Sequence, residues 1–313
     1  ASLWGPAVAA FTDVNTRESQ QIYATRDGLF NVSSKKNVVV FVLDTTDTTF
    51  VQQIYNEYPE TFTHMTGFTW YRNSAGSMIP TRYGIPSLVF ENRLQPGQSF
   101  GDFVNGWADN SHYLDDINKL GYSVDLYTDN FNSIYTDYMH NRTINYHELR
   151  GRGSENQLNV LSALRILYKT AFCRDMPWVF KPRFWYYTED LNMRMRKSVN
   201  MDEVDLSSQP YTEDDLKYYQ ELQHYGLSID NTGQNGSFRF IHLFGSHPPY
   251  TLDRNVERTE YPIKQNVDEQ TIAAYRIVEA YIAELKRLGV YDNTSFIITA
   301  DHGDWYLTGG DIQ

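Results

Sequence analysis

The chain has 313 residues, a formal charge of -12 and a hydrophobic fraction of 41%. That apolar content excludes an intrinsically disordered chain, and an acidic balance without a dense Lys/Arg stripe excludes a general nucleic-acid binder. The single cysteine, Cys173, excludes an intrachain disulfide framework, and no run nears the roughly 18 apolar residues of a membrane span.

Residues 1–36 are mixed and polar and read as a lead-in or linker, with 37–313 as one folded domain. Asn37 to Leu43 (NVVVFVL) is a continuous β-branched run, the pattern of a strand buried on both faces of a parallel sheet. It stops at Asp44-Thr45-Thr46-Asp47. A helix over 48–58 and a short strand over 67–72 follow. The loop Asn73 to Pro80 leads into a helix that starts near Thr81. Tyr113 to Leu120 reads as a helix closed by Gly121, and Ser123 to Tyr127 as the next strand. Residues 150–225 alternate irregularly and read as helical.

Phe238 to Phe244 (FRFIHLF) is a further strand, ending in Gly245-Ser246-His247-Pro248-Pro249. His242 shares a face of that strand with three phenylalanines and reads as a packed core histidine. From Thr271 to Leu288 apolar residues recur at helical spacing, with Gly289 as the stop. The strand Ser295 to Thr299 then ends in Asp301-His302-Gly303-Asp304. The alternation of strand and helix predicts an α/β fold with right-handed parallel connections.

Three strands thus end in polar clusters: Asp44, His247, and Asp301 with His302. In a parallel sheet those ends share one edge, where open α/β sheets place their sites. Carboxylates plus an imidazole suit one divalent cation such as zinc or manganese. Each residue also has a plainer role open to it. Asp44 could cap the next helix, Thr81 could cap its own, and Asp301-His302 could be a strand-end turn.

NVVVFVLDTT followed much later by YDNTSFIITADHGD resembles the two ends of the sulfatase/alkaline phosphatase superfamily core. The likeness is nearest to its membrane-anchored branch, the lipoteichoic acid synthases and phosphoethanolamine transferases. Thr81-Arg82-Tyr83-Gly84-Ile85-Pro86 resembles the Thr-x-Tyr-x-Val-Pro around the nucleophilic threonine of the transferases. Gly245-Ser246-His247-Pro248-Pro249 resembles their Gly-Ser-His-x-Pro, whose histidine contacts substrate phosphate. Two departures stand out. Asp44 occupies a place where both branches usually carry glutamate. The frame Met78-Ile79-Pro80-Thr81-Arg82 has methionine where sulfatases need Cys or Ser, so arylsulfatase activity is not expected.

The resemblance implies an alkaline phosphatase-like fold, with a mixed, mostly parallel sheet flanked by helices, cut short at the C-terminus relative to those families. Residues 37–313 become a sulfatase-like catalytic domain. Asp44, Thr81, Asp301 and His302 are expected to hold one divalent metal ion, manganese or zinc before magnesium. Thr81 is the expected nucleophile, His247 the second catalytic group, and His247, Arg82, Asp129 and Asn130 the expected substrate contacts. The implied reaction moves a phosphoglycerol- or phosphoethanolamine-type headgroup from a phospholipid donor to a hydroxyl acceptor through a phosphothreonine. A hydrolase on the same site and a degenerate headgroup-binding domain are the alternatives. The expected setting is the extracellular face of a bacterial cell membrane, reached through a segment outside this chain, or a released extracellular domain. No nucleic-acid partner is expected.

Overall fold

The computed structural model describes residues 21–91, 93–128, 135–149, 160–184, 210–259 and 267–304. The chain divides into two compact units. The larger comprises Ile22–Glu148 and Gln209–Gln313, the smaller Ala1–Gln21 and Leu149–Ser208.

Two short strand pairs are β1 (Gln21–Ala24) with β5 (Tyr146–Leu149) and β2 (Asn31–Val32) with β6 (Ser228–Ile229). Among the described residues the central sheet holds four strands, β3 (Asn37–Leu43), β4 (Tyr122–Tyr127), β7 (Gly236–Leu243) and β8 (Thr294–Thr299). Their order is β4-β7-β3-β8, and all three pairings are parallel. β7 is buried along its whole length and β3 nearly so, as strands covered on both faces should be, and the buried run of β7 includes Arg239 and His242. β8, at one end of this order, alternates between half-buried and exposed positions over most of its length.

Helices cover both faces of this sheet. Phe41 of β3 meets Tyr218 of α7 (Asp215–Tyr225) at 6.3 Å and Tyr281 of α8 (Val267–Arg287) at 5.2 Å between ring centroids. On the opposite face Phe238 of β7 meets Tyr113 of α4 (Tyr113–Lys119) edge-on at 6.0 Å. Burying a side chain such as Phe41 contributes ~2–3 kcal/mol, so the sheet centre is a firm platform. α8 carries Asp268 and Glu269 in its first turn and Lys286 and Arg287 in its last, the charge order that complements the helix dipole. Further helices are α1 (Thr48–Glu57), α2 (Thr81–Phe90), α3 (Phe100–Asn105) and α5 (Thr136–His140); the smaller unit contributes α6 (Val160–Asp175).

Two expectations change. The strand expected over 67–72 is irregular. The alternation of Phe68 and Trp70 has another cause: Phe68 packs edge-on to Phe296 at 5.9 Å and Trp70 against Tyr55 at 5.8 Å, which pins a loop to the core. Part of the stretch expected as a lead-in is built into the larger unit, because Leu29, Phe30 and Val32 are buried in its core. Of the region expected to be helical, α6 and α7 are helices, whereas residues 150–159 and 185–209 lie outside the described residues.

Candidate metal centre

β3 lies between β7 and β8, with Leu43 opposite Leu243 and Val42 opposite Thr299. The first residues past those strands therefore meet at one edge. Asp44, Asp301 and His302 are all buried there. Thr45 takes the left-handed conformation (φ 58°), an outlying state for a β-branched residue. Its N–H donates to Asp301 Oδ1 at 3.1 Å, and its hydroxyl donates to Asp44 Oδ1 at 2.6 Å. The strained residue thus joins the two strand ends.

Thr81 is the first residue of α2. The cap position falls on Pro80 and carries no side-chain cap bond, so Thr81 is free of the capping role. Its hydroxyl lies 3.3 Å from Asp44 Oδ2 and 3.1 Å from His302 Nε2. Gly84 permits this approach. A Cβ there would stand 2.9 Å from the Asp301 carbonyl oxygen, so only glycine lets the first turn of α2 rest on the Asp301 backbone. Gly245, with φ +57°, does the same for the loop after β7: a Cβ would stand 2.6 Å from the Asp44 nitrogen. Asp44 does not cap α1 either; Asp47 does, accepting from the Thr49 N–H.

The protonation pattern follows from the partners. His302 Nδ1 lies 2.8 Å from the Gly303 carbonyl oxygen, which can only accept. Nδ1 therefore carries the proton, and the Nε2 lone pair faces Thr81, Asp44 and Asp301. Nε2 is 3.3 Å from Asp301 Oδ2 and 3.9 Å from Asp44 Oδ1. Asp301 Oδ2 is buried and receives no hydrogen bond. An orphaned buried carboxylate oxygen beside an imidazole lone pair is costly unless a cation joins them. Burial, and then the neighbouring charge of Asp301, push the Asp44 carboxyl up to about 6. Two carboxylates held this close repel each other as anions, and a divalent cation turns that repulsion into attraction. The donor set of two carboxylates, an imidazole and a hydroxyl fits such an ion.

A second group of ligand-type side chains shares Asp44. It adds His242 from β7 and Glu213 from the segment before α7. His242 Nδ1 lies 2.6 Å from Glu213 Oε1, and its Nε2 is 3.8 Å from Asp44 Oδ2 with no hydrogen bond of its own. His242 is buried, as expected, yet it is a polar neighbour of the site rather than a purely packed core residue. A histidine among the phenylalanines of one strand face was the signal, because a fully buried imidazole needs a partner. Glu213 in YTEDD and the left-handed Thr45 carry no comparable signal.

The remaining expected residues are less closely tied to the centre. His247 follows β7, packs against Phe244 at 5.0 Å and bonds the Pro248 carbonyl through Nδ1. Among the described residues it belongs to neither ligand group. Arg82 is exposed, with its guanidinium 4.9 Å from the centre of the Tyr83 ring. Asp129 and Asn130 lie outside the described residues. Beside Asp301 and His302 opens a cleft of about 850 Å³ whose wall includes Thr46, Asp47, Trp70, Ser77, Ser87 and Arg93. That volume suits a small polar headgroup.

No protein family, curated protein or solved structure matches the chain. The α/β architecture with its parallel central sheet is consistent in general terms with the sulfatase/alkaline phosphatase superfamily. The buried Asp/Glu/His clusters are consistent with a metal-dependent catalytic or binding site.

Proposed function

We propose that the chain is a metal-dependent phosphoryl-headgroup transferase that works through a phosphothreonine at Thr81. The observation that supports this reading most is the meeting of the Thr81 hydroxyl with Asp44 and His302 beside the orphaned Asp301 oxygen. A divalent cation held by Asp44, Thr81, Asp301 and His302 would supply positive charge that favours the ionised hydroxyl and offsets charge on the phosphoryl oxygens.

Within the chain, Asp44 Oδ2 accepts the Thr81 hydroxyl and fixes the direction of its oxygen. His302, locked by its Nδ1 bond to Gly303, sets Nε2 3.1 Å from the same oxygen, where it would ligate the cation beside Thr81. The Thr81 oxygen forms a bond to the phosphorus of a phosphodiester headgroup as the bond to the lipid alcohol breaks. His247 is assigned to protonate that alcohol. The Thr81 proton passes to Asp44 in that step. An acceptor hydroxyl then attacks the phosphothreonine, its proton goes to His247, and Thr81 leaves with the proton returned from Asp44. The setting that fits this chemistry is the outer face of a bacterial cell membrane, with a phospholipid as donor and a glycan, lipid or polymer hydroxyl as acceptor.

The test is incubation of the metal-loaded protein with phosphatidylglycerol, followed by mass spectrometry of the Thr81 peptide. Added mass of one phosphoglycerol unit is expected. Undiminished turnover by Thr81→Ala would remove Thr81 from the mechanism. Product formation with and without an acceptor alcohol separates transfer from hydrolysis.

A further inference from the structure

In the smaller unit, α6 is turned inside out relative to an ordinary surface helix. At ~100° per residue, Val160, Leu161, Leu164, Leu167 and Tyr168 fall on one arc of its sequence VLSALRILYKTAFCRD. All five are exposed, Leu161 by 79% and Leu167 by 64%. The one buried residue of the helix is the small Ala163, just outside that arc beyond Leu167. A 3-10 turn over Trp178–Phe184 follows, and it too presents apolar side chains outward, with Trp178 at 76% and Val179 at 81% exposed. Phe172 stacks on Phe184 at 5.3 Å and ties the turn back to the helix. The pair forms a hairpin whose hydrophobic side lacks a partner among the described residues.

Charge says what covers it. Residues 160–184 hold five basic side chains against one acidic, in a chain of net charge -12. On the helix wheel Arg165 and Arg174 border the apolar arc on its two sides, where long basic chains reach past apolar contacts to anionic headgroups. Trp, Tyr and Phe are the side chains that favour the headgroup boundary. Two copies of the hairpin face to face would bring like charges together, which disfavours a self-association surface. At 16 residues α6 is about 24 Å long, shorter than a bilayer core of about 30 Å, and it carries charges along its length. Among the described residues no helix is long and apolar enough to cross a membrane.

We propose that the α6 hairpin docks the protein on an anionic lipid surface through the face of Leu161, Leu164, Leu167 and Trp178. Vesicle binding is read without turnover, so loss of docking and loss of the Thr81 chemistry are separate results.

The full chain is floated with vesicles of phosphatidylcholine alone and of equimolar phosphatidylcholine and phosphatidylglycerol. At least about tenfold stronger partitioning onto the anionic vesicles is expected, falling as salt is raised. Leu164→Glu with Trp178→Glu should remove it, and Arg165→Glu with Lys169→Glu should remove the preference for phosphatidylglycerol. Both pairs should unfold at the wild-type temperature, because the altered side chains are exposed or half-exposed. Equal partitioning of wild type and both variants, or none by wild type, overturns the proposal. So does a concentration-dependent dimer in ultracentrifugation that the Leu164/Trp178 pair abolishes, which assigns the face to a second copy. A large drop in unfolding temperature for that pair also overturns it, since the face would then be covered by the chain's own residues.

Discussion

Thr81 Oγ1 lies 3.1 Å from His302 Nε2, although 221 residues separate the two along the chain. The contact exists because Thr81 opens α2 while His302 follows β8, and α2 rests on the backbone that precedes His302. The Thr81 hydroxyl donates to Asp44 Oδ2, and His302 Nε2 stands close on the other side of the same oxygen.

Thr81→Ala should therefore abolish headgroup transfer, with kcat/KM down at least ~1000-fold, the scale on which removal of a nucleophile is felt. Thr81→Ser keeps the reacting oxygen and should retain measurable turnover and the covalent adduct. Because Thr81 makes no capping bond, neither change should shift the unfolding temperature by much. Activity assays paired with thermal unfolding check all three statements.

Acidity gives a second expectation. Burial holds Asp44 at about 6 and Asp215 at about 7, against an ordinary value of 3.8 for both. The folded chain thus binds these protons more tightly than the unfolded one, so the metal-free protein gains stability as pH falls. Between pH 8 and 6 the gain is about 1–2 kcal/mol. Cation binding runs the other way, since a ligating Asp44 must be ionised. Affinity should fall ~10-fold for each pH unit below about 6. Calorimetric unfolding with chelator and with added manganese or zinc, each at pH 8 and 6, would show the two slopes. A metal-free protein that melts lower at pH 6 than at pH 8 would contradict the burial of these carboxyls.

The parts of this site that could be read from the amino-acid order are those set by the sheet. NVVVFVL and SFIIT announce buried or half-buried strands, and parallel pairing obliges Asp44 and Asp301 to emerge at one edge. Thr81 was picked out by the resemblance of Thr81-Arg82-Tyr83-Gly84-Ile85-Pro86 to a transferase motif, and the helix expected to start near it is there. What escaped was set by backbone detail and by loops. The left-handed Thr45 joins the two carboxylates, but nothing in Asp44-Thr45-Thr46-Asp47 distinguishes it from its neighbour. Glu213 reaches His242 from a polar stretch in which several acids look alike. The 67–72 segment misled because Phe-x-Trp alternates like a strand while packing as a pinned loop.

Glu213 and His242 stand behind Asp44 and act through it. The Glu213 carboxylate accepts from His242 Nδ1, which turns the Nε2 lone pair toward Asp44. Glu213→Gln keeps the shape and removes the charge that fixes this tautomer. Metal affinity, measured by competition against a chromophoric chelator, should weaken about 10–100-fold, the usual range for an outer partner of a metal ligand. The Thr81 adduct should still form at saturating metal. Loss of the adduct at saturating metal would mean that Glu213 takes part in the chemistry directly.

Gly84→Ala tests whether the reach of Thr81 depends on close packing of α2. Alanine is the better helix former, by about 1 kcal/mol, so the helix itself gains. Against that, the new Cβ would lie 2.9 Å from the Asp301 carbonyl oxygen and 3.2 Å from the Asp301 Cβ. Both neighbours belong to the buried strand end, and α2 is the element able to give way. A shift of a few tenths of an ångström there moves the Thr81 hydroxyl off Asp44 and His302. Misplacement on an ångström scale can cost about 100-fold in rate. The expected result is a kcat reduced at least ~10-fold with KM little changed, and an unfolding temperature within a few degrees of wild type. A Gly84→Ala enzyme with full kcat would show that the hydroxyl does not depend on this contact, and that the first turn of α2 is positioned by something else.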